Sequence, residues 1–369
     1  MKKVLIAPDK FKGSLTALQV CEAIANGLEK SNRDLEISLH PLADGGDGSL
    51  AILRNHLNLE ENRVLAKDPL GRKIPSVYFT SKESAYIEVA TNSGLVLLSK
   101  EERNPLYTSS SGSGELIKDA ISKGIKNIYI FLGGSGTNDA GIGLAHSLGF
   151  EFLDISNNTL TPVGENLIKI QKIINTSPIN FSKVSITFFY DVANPLYGKN
   201  GAAHIYAPQK GATQAGVKIL DDGLRNISQV LKKHTGLDIS KIEGIGAAGG
   251  MAACLVALLD AKLMRGFDFI AEQTNLEEKI EQADIVISGE GKLDRQSLEG
   301  KVIDGVAKFC RKYQKRLLLF VGQNELDVEV LLENGVDEVF SLIAMADNKA
   351  DAILNGEKYL EHLAAKARL

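Results

Sequence analysis

The run DIVISGEGKLDRQSLEGKVIDGVAKFCRKYQKRLLLFV (284–321) decides the fold. Residues 284–288 are rich in β-branched apolar side chains, 300–313 repeat apolar positions at helical spacing, and 316–321 are apolar again. Strand, helix, strand in immediate succession is the pattern of two parallel strands joined by a crossover helix. It continues with a helix over 328–334, a strand over 338–343 and a polar-faced helix over 349–366. The other end of the chain has the same texture. KVLIAPDKFKGSL (3–15) opens with a buried strand at 4–7, followed by a helix over 14–30 with Ser14 as its N-cap and a strand over 35–42. Alternation at both ends predicts one doubly wound parallel sheet assembled from both termini.

Between these ends the pattern loosens. Residues 63–90 read as two or three antiparallel strands with turns at 70–71 and 81–82. A helix around 114–123, strands over 127–132 and 184–190, and long helices over 214–234 and 247–265 follow. The expected architecture is an α/β domain made of 1–65 plus 280–369, with a mixed α/β domain, 66–279, inserted in it. A length of 369 residues fits two domains, and 44% hydrophobic residues supply two cores.

The formal net charge of −4 is evenly spread, which argues against nucleic acid and anionic membrane as partners. No run approaches the ~20 apolar residues of a membrane span, and the opening residues lack a signal-peptide core. Cys21, Cys254 and Cys310 lie far apart with no CxxC pair. They read as buried thiols in a reducing compartment, so the expected location is the cytoplasm.

Glycine is the informative count: 35, against nine prolines and no tryptophan. Many glycines stand in polar clusters just after apolar strands: APDKFKGSL (7–15), LADGGDGS (42–49), ATNSGL (90–95), FLGGSGTNDAGIG (131–143), YDVANPLYGKNGAA (190–203) and ISGEGKLDRQS (287–297). In open α/β sheets, ligands bind beyond the carboxyl ends of the strands, where such loops gather. In FLGGSGTNDAGIG, Gly133, Gly134 and Gly136 let backbone N–H groups face an anion. Ser135, Thr137, Asn138 and Asp139 add more polar groups than a bare turn needs. The competing reading is a tight turn with Asn138 or Asp139 as a helix cap. GIGAAG (244–249) has the GxGxxG spacing but follows no clear strand, so Gly249 is a phosphate-binding candidate and not part of a dinucleotide fingerprint. Gly198-Lys199, Gly291-Lys292 and Gly300-Lys301 all lack the Ser or Thr that completes a Walker A loop.

The acids in these segments are Asp44, Asp47, Asp139, Asp191, Glu290 and Asp294. Asp191 directly follows an apolar strand that would fix its backbone, a placement that suits a catalytic carboxylate, although an Asx-turn before Asn194-Pro195 would also use it. Asp44, Asp47, Glu290 and Asp294 are candidate ligands of Mg²⁺, which takes one or two carboxylates alongside phosphate oxygens. Asp44 and Asp47 also read as turn formers. Lys10 and Lys12, beside Ser14, stand between the first strand and a helix start, where an anion is welcome; they also read as solvated lysines. Histidines are scattered without acid partners, so a base must come from the carboxylates.

Taken together and in order, APDKFKGSL, PLADGGDGS, ATNSGL, GGSGTNDAG, YDVANPLYGKNGAA, GAAGGM and SGEGKLDRQS closely resemble the glycerate kinase family of the bacterial type. The resemblance covers nearly the whole chain. It implies a flavodoxin-like domain split around an inserted domain, and phosphorylation of D-glycerate by Mg²⁺-ATP, at the 2-hydroxyl more often than the 3-hydroxyl. Apart from the resemblance, their positions make Asp191 and Lys10 the expected catalytic residues. Lys12, Ser14, Gly133 to Asp139, Asn194 and Gly249 would bind substrate or phosphate, with glycerate and ATP as partners and a homodimer as the compatible assembly. One departure is Gly322-Gln323-Asn324-Glu325, where the family more often has a glycine- and aspartate-containing loop. A dehydrogenase would need a strand-coupled dinucleotide fingerprint. A non-catalytic sensor of phosphorylated metabolites would use the same cradles without Asp191 or a metal.

Overall fold

Segments that are apolar at every position leave no face for water, and 285–287 and 317–321 accordingly form strands buried on both sides. The computed structural model describes residues 1–31 and 34–369. In chain order its strands are β1 (Lys2–Ile6), β2 (Leu35–Leu39), β3 (Glu60–Lys67), β4 (Lys73–Ser81), β5 (Ser84–Glu88), β6 (Asn127–Phe131), β7 (Phe150–Leu153), β8 (Lys172–Asn175), β9 (Ser185–Tyr190), β10 (Lys262–Arg265), β11 (Ile285–Leu293), β12 (Arg316–Asn324) and β13 (Glu338–Ser341). The chain divides into two units. The first is Met1–Asp44, Ala51–His56 and Arg265–Leu369; the second is Gly45–Leu50 and Leu57–Met264.

The first unit holds a five-stranded parallel sheet in the order β13-β12-β11-β1-β2, with Val4 opposite both Ile285 and Ile37. Counted within the unit this is the 2-1-3-4-5 order of a doubly wound sheet, whose switch point lies between β1 and β11. β11 and β12 are longer than their apolar cores. They stay paired as far as Leu293 and Asn324, so the stretch expected as a loop after 288 is strand through Leu293. Each supplies the other's backbone partners there, which polar side chains do not prevent.

Two helix boundaries differ from expectation in this unit. The first helix is Ala17–Ser31. Thr16 caps it by accepting from the Gln19 N–H at 3.3 Å, while Gln19 Oε1 accepts from the Thr16 N–H at 2.9 Å. Ser14, expected as the cap, instead donates to the Ile353 carbonyl at 2.6 Å. The C-terminal helix is two pieces, Lys349–Leu354 and Gly356–Lys366, hinged at Asn355.

The second unit is built on a six-stranded sheet, β10-β9-β6-β5-β4-β3, with the ribbon β7-β8 apart from it. β3, β4 and β5 are antiparallel, and Lys82, at φ 52°, makes the tight turn between the last two. β5, β6 and β9 are parallel. The single long helix expected over 247–265 does not form. Ala248 and Gly249 take left-handed conformations (φ 52° and 75°), a helix runs only over Ala253–Leu259, and β10 follows. The cause is tertiary. The backbone at Gly249 lies so close to another segment that a Cβ there would stand 2.3 Å from the Thr137 carbonyl oxygen. Among the described residues no helix is long and apolar enough to cross a membrane, and the three cysteines are buried and unbridged.

Phe320 is wholly buried in the first unit, with its ring centroid 4.7 Å from that of Phe340. Phe320→Ala should cost about 3–5 kcal/mol, read from urea unfolding; a loss below about 1 kcal/mol would contradict this placement at the core.

Candidate functional site

Strand register lines up one edge of the second unit. Glu88 lies opposite Phe131, and Phe131 opposite Phe189, so the parallel strands β5, β6 and β9 end together. With neighbouring strands ~4.8 Å apart, Gly133 and Asp191 leave the sheet side by side, and Glu88 stands at the end of β5.

The segment Gly45–Leu50 packs directly on this edge. A Cβ at Gly133 would come within 2.1 Å of the Asp47 amide nitrogen, so only glycine permits the approach. Glu88 secures the same segment: its Oε1 accepts from the N–H groups of Gly48 at 3.1 Å and Leu50 at 3.0 Å. A carboxylate there also meets the positive end of the helix Ser49–His56. Asp47 itself is exposed. The sequence reading passed over Glu88, although an acid closing an apolar strand was a visible signal.

Within the glycine-rich loop only Gly133 and Gly134 reach the surface; Ser135 to Asp139 are buried. The buried part is held from several sides. Thr108 Oγ1 donates to the Gly136 carbonyl at 3.0 Å, Ser135 Oγ to the Ala248 carbonyl at 3.3 Å, and Lys210 Nζ to the Thr137 carbonyl at 2.7 Å. The Asp139 carboxylate accepts from Ser110 N (2.7 Å), Ser110 Oγ (2.8 Å), Gly141 N (3.1 Å) and Gly143 N (3.3 Å). Burial raises its pKa while these donors pull it back down. Asn138 is buried with both amide atoms lacking a partner among the described residues. Gly133 and Gly134 are therefore the open face, and Thr137 and Asp139 tie the buried part of the loop to the body beneath it. Gly249 lies against Thr137 and Asn138 from behind.

Asp191 is half-buried at the end of β9. Burial, with the Asp191 charge behind it, pushes the Tyr206 hydroxyl up to about 12. That hydroxyl donates to Asn194 Oδ1, and Asn194 Nδ2 donates to the Asn200 carbonyl at 2.9 Å. Asn194 thus braces the loop that follows Asp191.

The first unit gathers a second cluster at the switch point of its own sheet. Residues 7–9 lie between two neighbours: Asp9 N donates to Gly289 O at 2.8 Å and Leu42 N to Pro8 O at 2.9 Å. Asp9, which the sequence reading missed, is buried; its pKa is raised first by that burial and then by Asp44, with Lys10 opposing. Burial pushes Glu290 up to about 7, with Ser297 and Lys301 opposing and Asp44 and Asp294 adding to the rise. One Glu290 oxygen, Oε1, has no partner among the described residues. Asp294 caps the turn Arg295–Leu298, accepting from Gln296 N at 2.9 Å, and also takes Lys292 Nζ at 3.1 Å. Lys12 is exposed. Among the described residues no three His, Cys, Asp or Glu side chains form a ready metal cage. Asp44 and Glu290 are nevertheless a pair of hard oxygen donors whose mutual repulsion a divalent cation would relieve.

The "Glycerate kinase family" model matches residues 4–368. The chain is 38% identical over 370 residues to a protein named glycerate kinase from Halalkalibacterium halodurans, covering 99% of this chain and 97% of that one. It is 39% identical over 344 residues to a protein named glycerate 2-kinase from Escherichia coli, covering 92% and 90%. Among solved structures it superposes on one assigned as glycerate kinase 2 from Salmonella typhimurium LT2, with a TM-score of 0.81 and 35% identity over 99% of this chain and 96% of that one.

The Glu290 environment has a consequence for stability. Its folded pKa of about 7 stands above the ordinary glutamate value. The native state therefore holds a proton that the unfolded chain has lost, and stability falls as pH rises from about 4.5 to 7. Glu290→Gln should remove that slope and melt higher than wild type at pH 8; identical melting curves across pH would contradict the burial described.

Proposed function

This chain belongs to the glycerate kinase family, and we propose that it transfers the γ-phosphoryl group of ATP to D-glycerate with the 2-hydroxyl as acceptor. The observation that carries the reading is the edge where Gly133, Gly134 and Asp191 emerge together from parallel strands. Phosphoryl transfer asks little covalent chemistry of a protein; it needs positioning, charge stabilisation and a group to receive the alcohol proton.

Each requirement has a candidate. Gly133 and Gly134 present backbone N–H groups without side chains in the way, which suits phosphate oxygens. Asp191 is the carboxylate that receives the proton of the attacking hydroxyl. Its position is fixed by β9 on one side and by the Tyr206–Asn194 brace on the other. Lys10 and Lys12 are the cations for the glycerate carboxylate or the transferring phosphate. The oxygens of Asp44 and Glu290 suit Mg²⁺, which when bound neutralises charge on phosphate oxygens. Asp294 is committed to its helix cap, so it serves the metal less directly. Unbridged buried cysteines support a cytoplasmic setting.

Asp191→Asn keeps shape and removes basicity. It should lower kcat by roughly 10²–10⁴ with a melting temperature near wild type. A fall in melting temperature in step with activity would mark Asp191 as a turn residue, and full activity would remove it from the chemistry. Phosphorus NMR of the product should show 2-phosphoglycerate; 3-phosphoglycerate would overturn the assigned hydroxyl.

A further inference from the structure

Lys210 is 3% exposed, and nothing in the transfer described above uses it. It ends the short turn Pro208–Lys210, and its Nζ reaches the Thr137 carbonyl at 2.7 Å. The other side chains that hold the buried half of the glycine-rich loop, the hydroxyls of Thr108 and Ser110, are neutral, as are the backbone groups of Ser93, Ser110 and Ala248 that join them. A neutral donor would make the same bond as Lys210, and burying an ammonium is costly. A titratable amine in the place of a neutral hydroxyl therefore calls for a role.

Asp139 acts on this ammonium, and two further groups lie beside its neighbours, Cys254 by Asp139 and Arg103 by Gly211. Asp139, buried on the loop, opposes it in sign. The Cys254 thiol beside Asp139 is held well above its usual pKa by burial and stays neutral. Arg103, whose backbone packs against Gly211, has a buried Nε without a partner among the described residues.

We infer that Lys210 is a positioning residue for the glycine-rich loop: it holds the Thr137 peptide from behind and gives the loop a positive charge that favours an anionic phosphate on its open face. This rests on reading that loop as the phosphate cradle. Burial brings the Lys210 ammonium down to about 7, with Asp139 opposing the fall. Burial thus disfavours the ammonium in the free protein, and a phosphate on the open face would favour it.

The test is calorimetric titration of ADP, without divalent cation, into the full-length protein at pH 7.8 in two buffers of different ionisation enthalpy. Wild type should take up a fraction of a proton per ADP, and this uptake should vanish at pH 6. Lys210→Met should abolish the uptake and weaken ADP binding about tenfold, with KM for ATP rising more than kcat falls. Uptake that persists in Lys210→Met, or unchanged affinity in that folded variant, would overturn the inference. If the variant does not fold, absence of uptake by wild type at pH 7.8 overturns it. Gly133→Ala separates the two readings. If it also leaves ADP affinity unchanged, the cradle itself is wrong; if it weakens binding while Lys210→Met does not, only the role of Lys210 falls.

Discussion

Gly133 lies so close to the amide of Asp47 that no side chain fits between them, and much of the second unit is arranged to preserve that approach. The contact is backbone on backbone. It brings the DGGDGS segment onto the carboxyl edge of the parallel strands, where Glu88 then holds it by two N–H groups. A second contact of the same kind, Gly249 on the Thr137 carbonyl, supports the loop from the other side. Between these two contacts the loop has little freedom, and its two open residues are held where β6 delivers them.

Such a loop buries many polar groups, and each must find a partner or be costly. Asp139 answers with four donors drawn from Ser110, Gly141 and Gly143. Gly136 uses both its N–H, to the Ser93 carbonyl at 2.8 Å, and its carbonyl, from Thr108 at 3.0 Å. Residues far apart in sequence are thereby committed to one turn. The first unit shows the opposite economy. Asp9, Asp44 and Glu290 are placed where they repel one another, an arrangement that lowers stability and that functional sites commonly retain.

The strands were legible because apolar runs such as 285–287 and 128–131 admit few alternatives, and the alternation at both termini indicated a parallel sheet. The limits of elements were less legible. Gly249-Gly250 weakens a helix locally, but it does not announce that Ala248 turns left-handed as well; the approach of Thr137 to Gly249 accounts for the break. Likewise β11 runs on through Glu290 only because β12 extends beside it. For the site, glycine clusters marked the loops correctly as places of close approach, but they did not show which polar residues face outward. Thr137, Asn138 and Asp139 are buried, Thr137 and Asp139 with partners in the protein and Asn138 with both amide atoms unpartnered among the described residues. Glu88 and Lys210 lie outside those clusters and Asp9 inside one of them, and their importance depends on distances the sequence does not contain.

The proposed place of the phosphate is the carboxyl edge of β5, β6 and β9. Amide hydrogen exchange tests it most directly, comparing the protein alone with the protein saturated with ATP analogue and glycerate. Exchange should slow chiefly in residues 132–136, with a smaller effect in 45–50. Unchanged exchange in 132–136, with protection appearing elsewhere in the second unit, would contradict it.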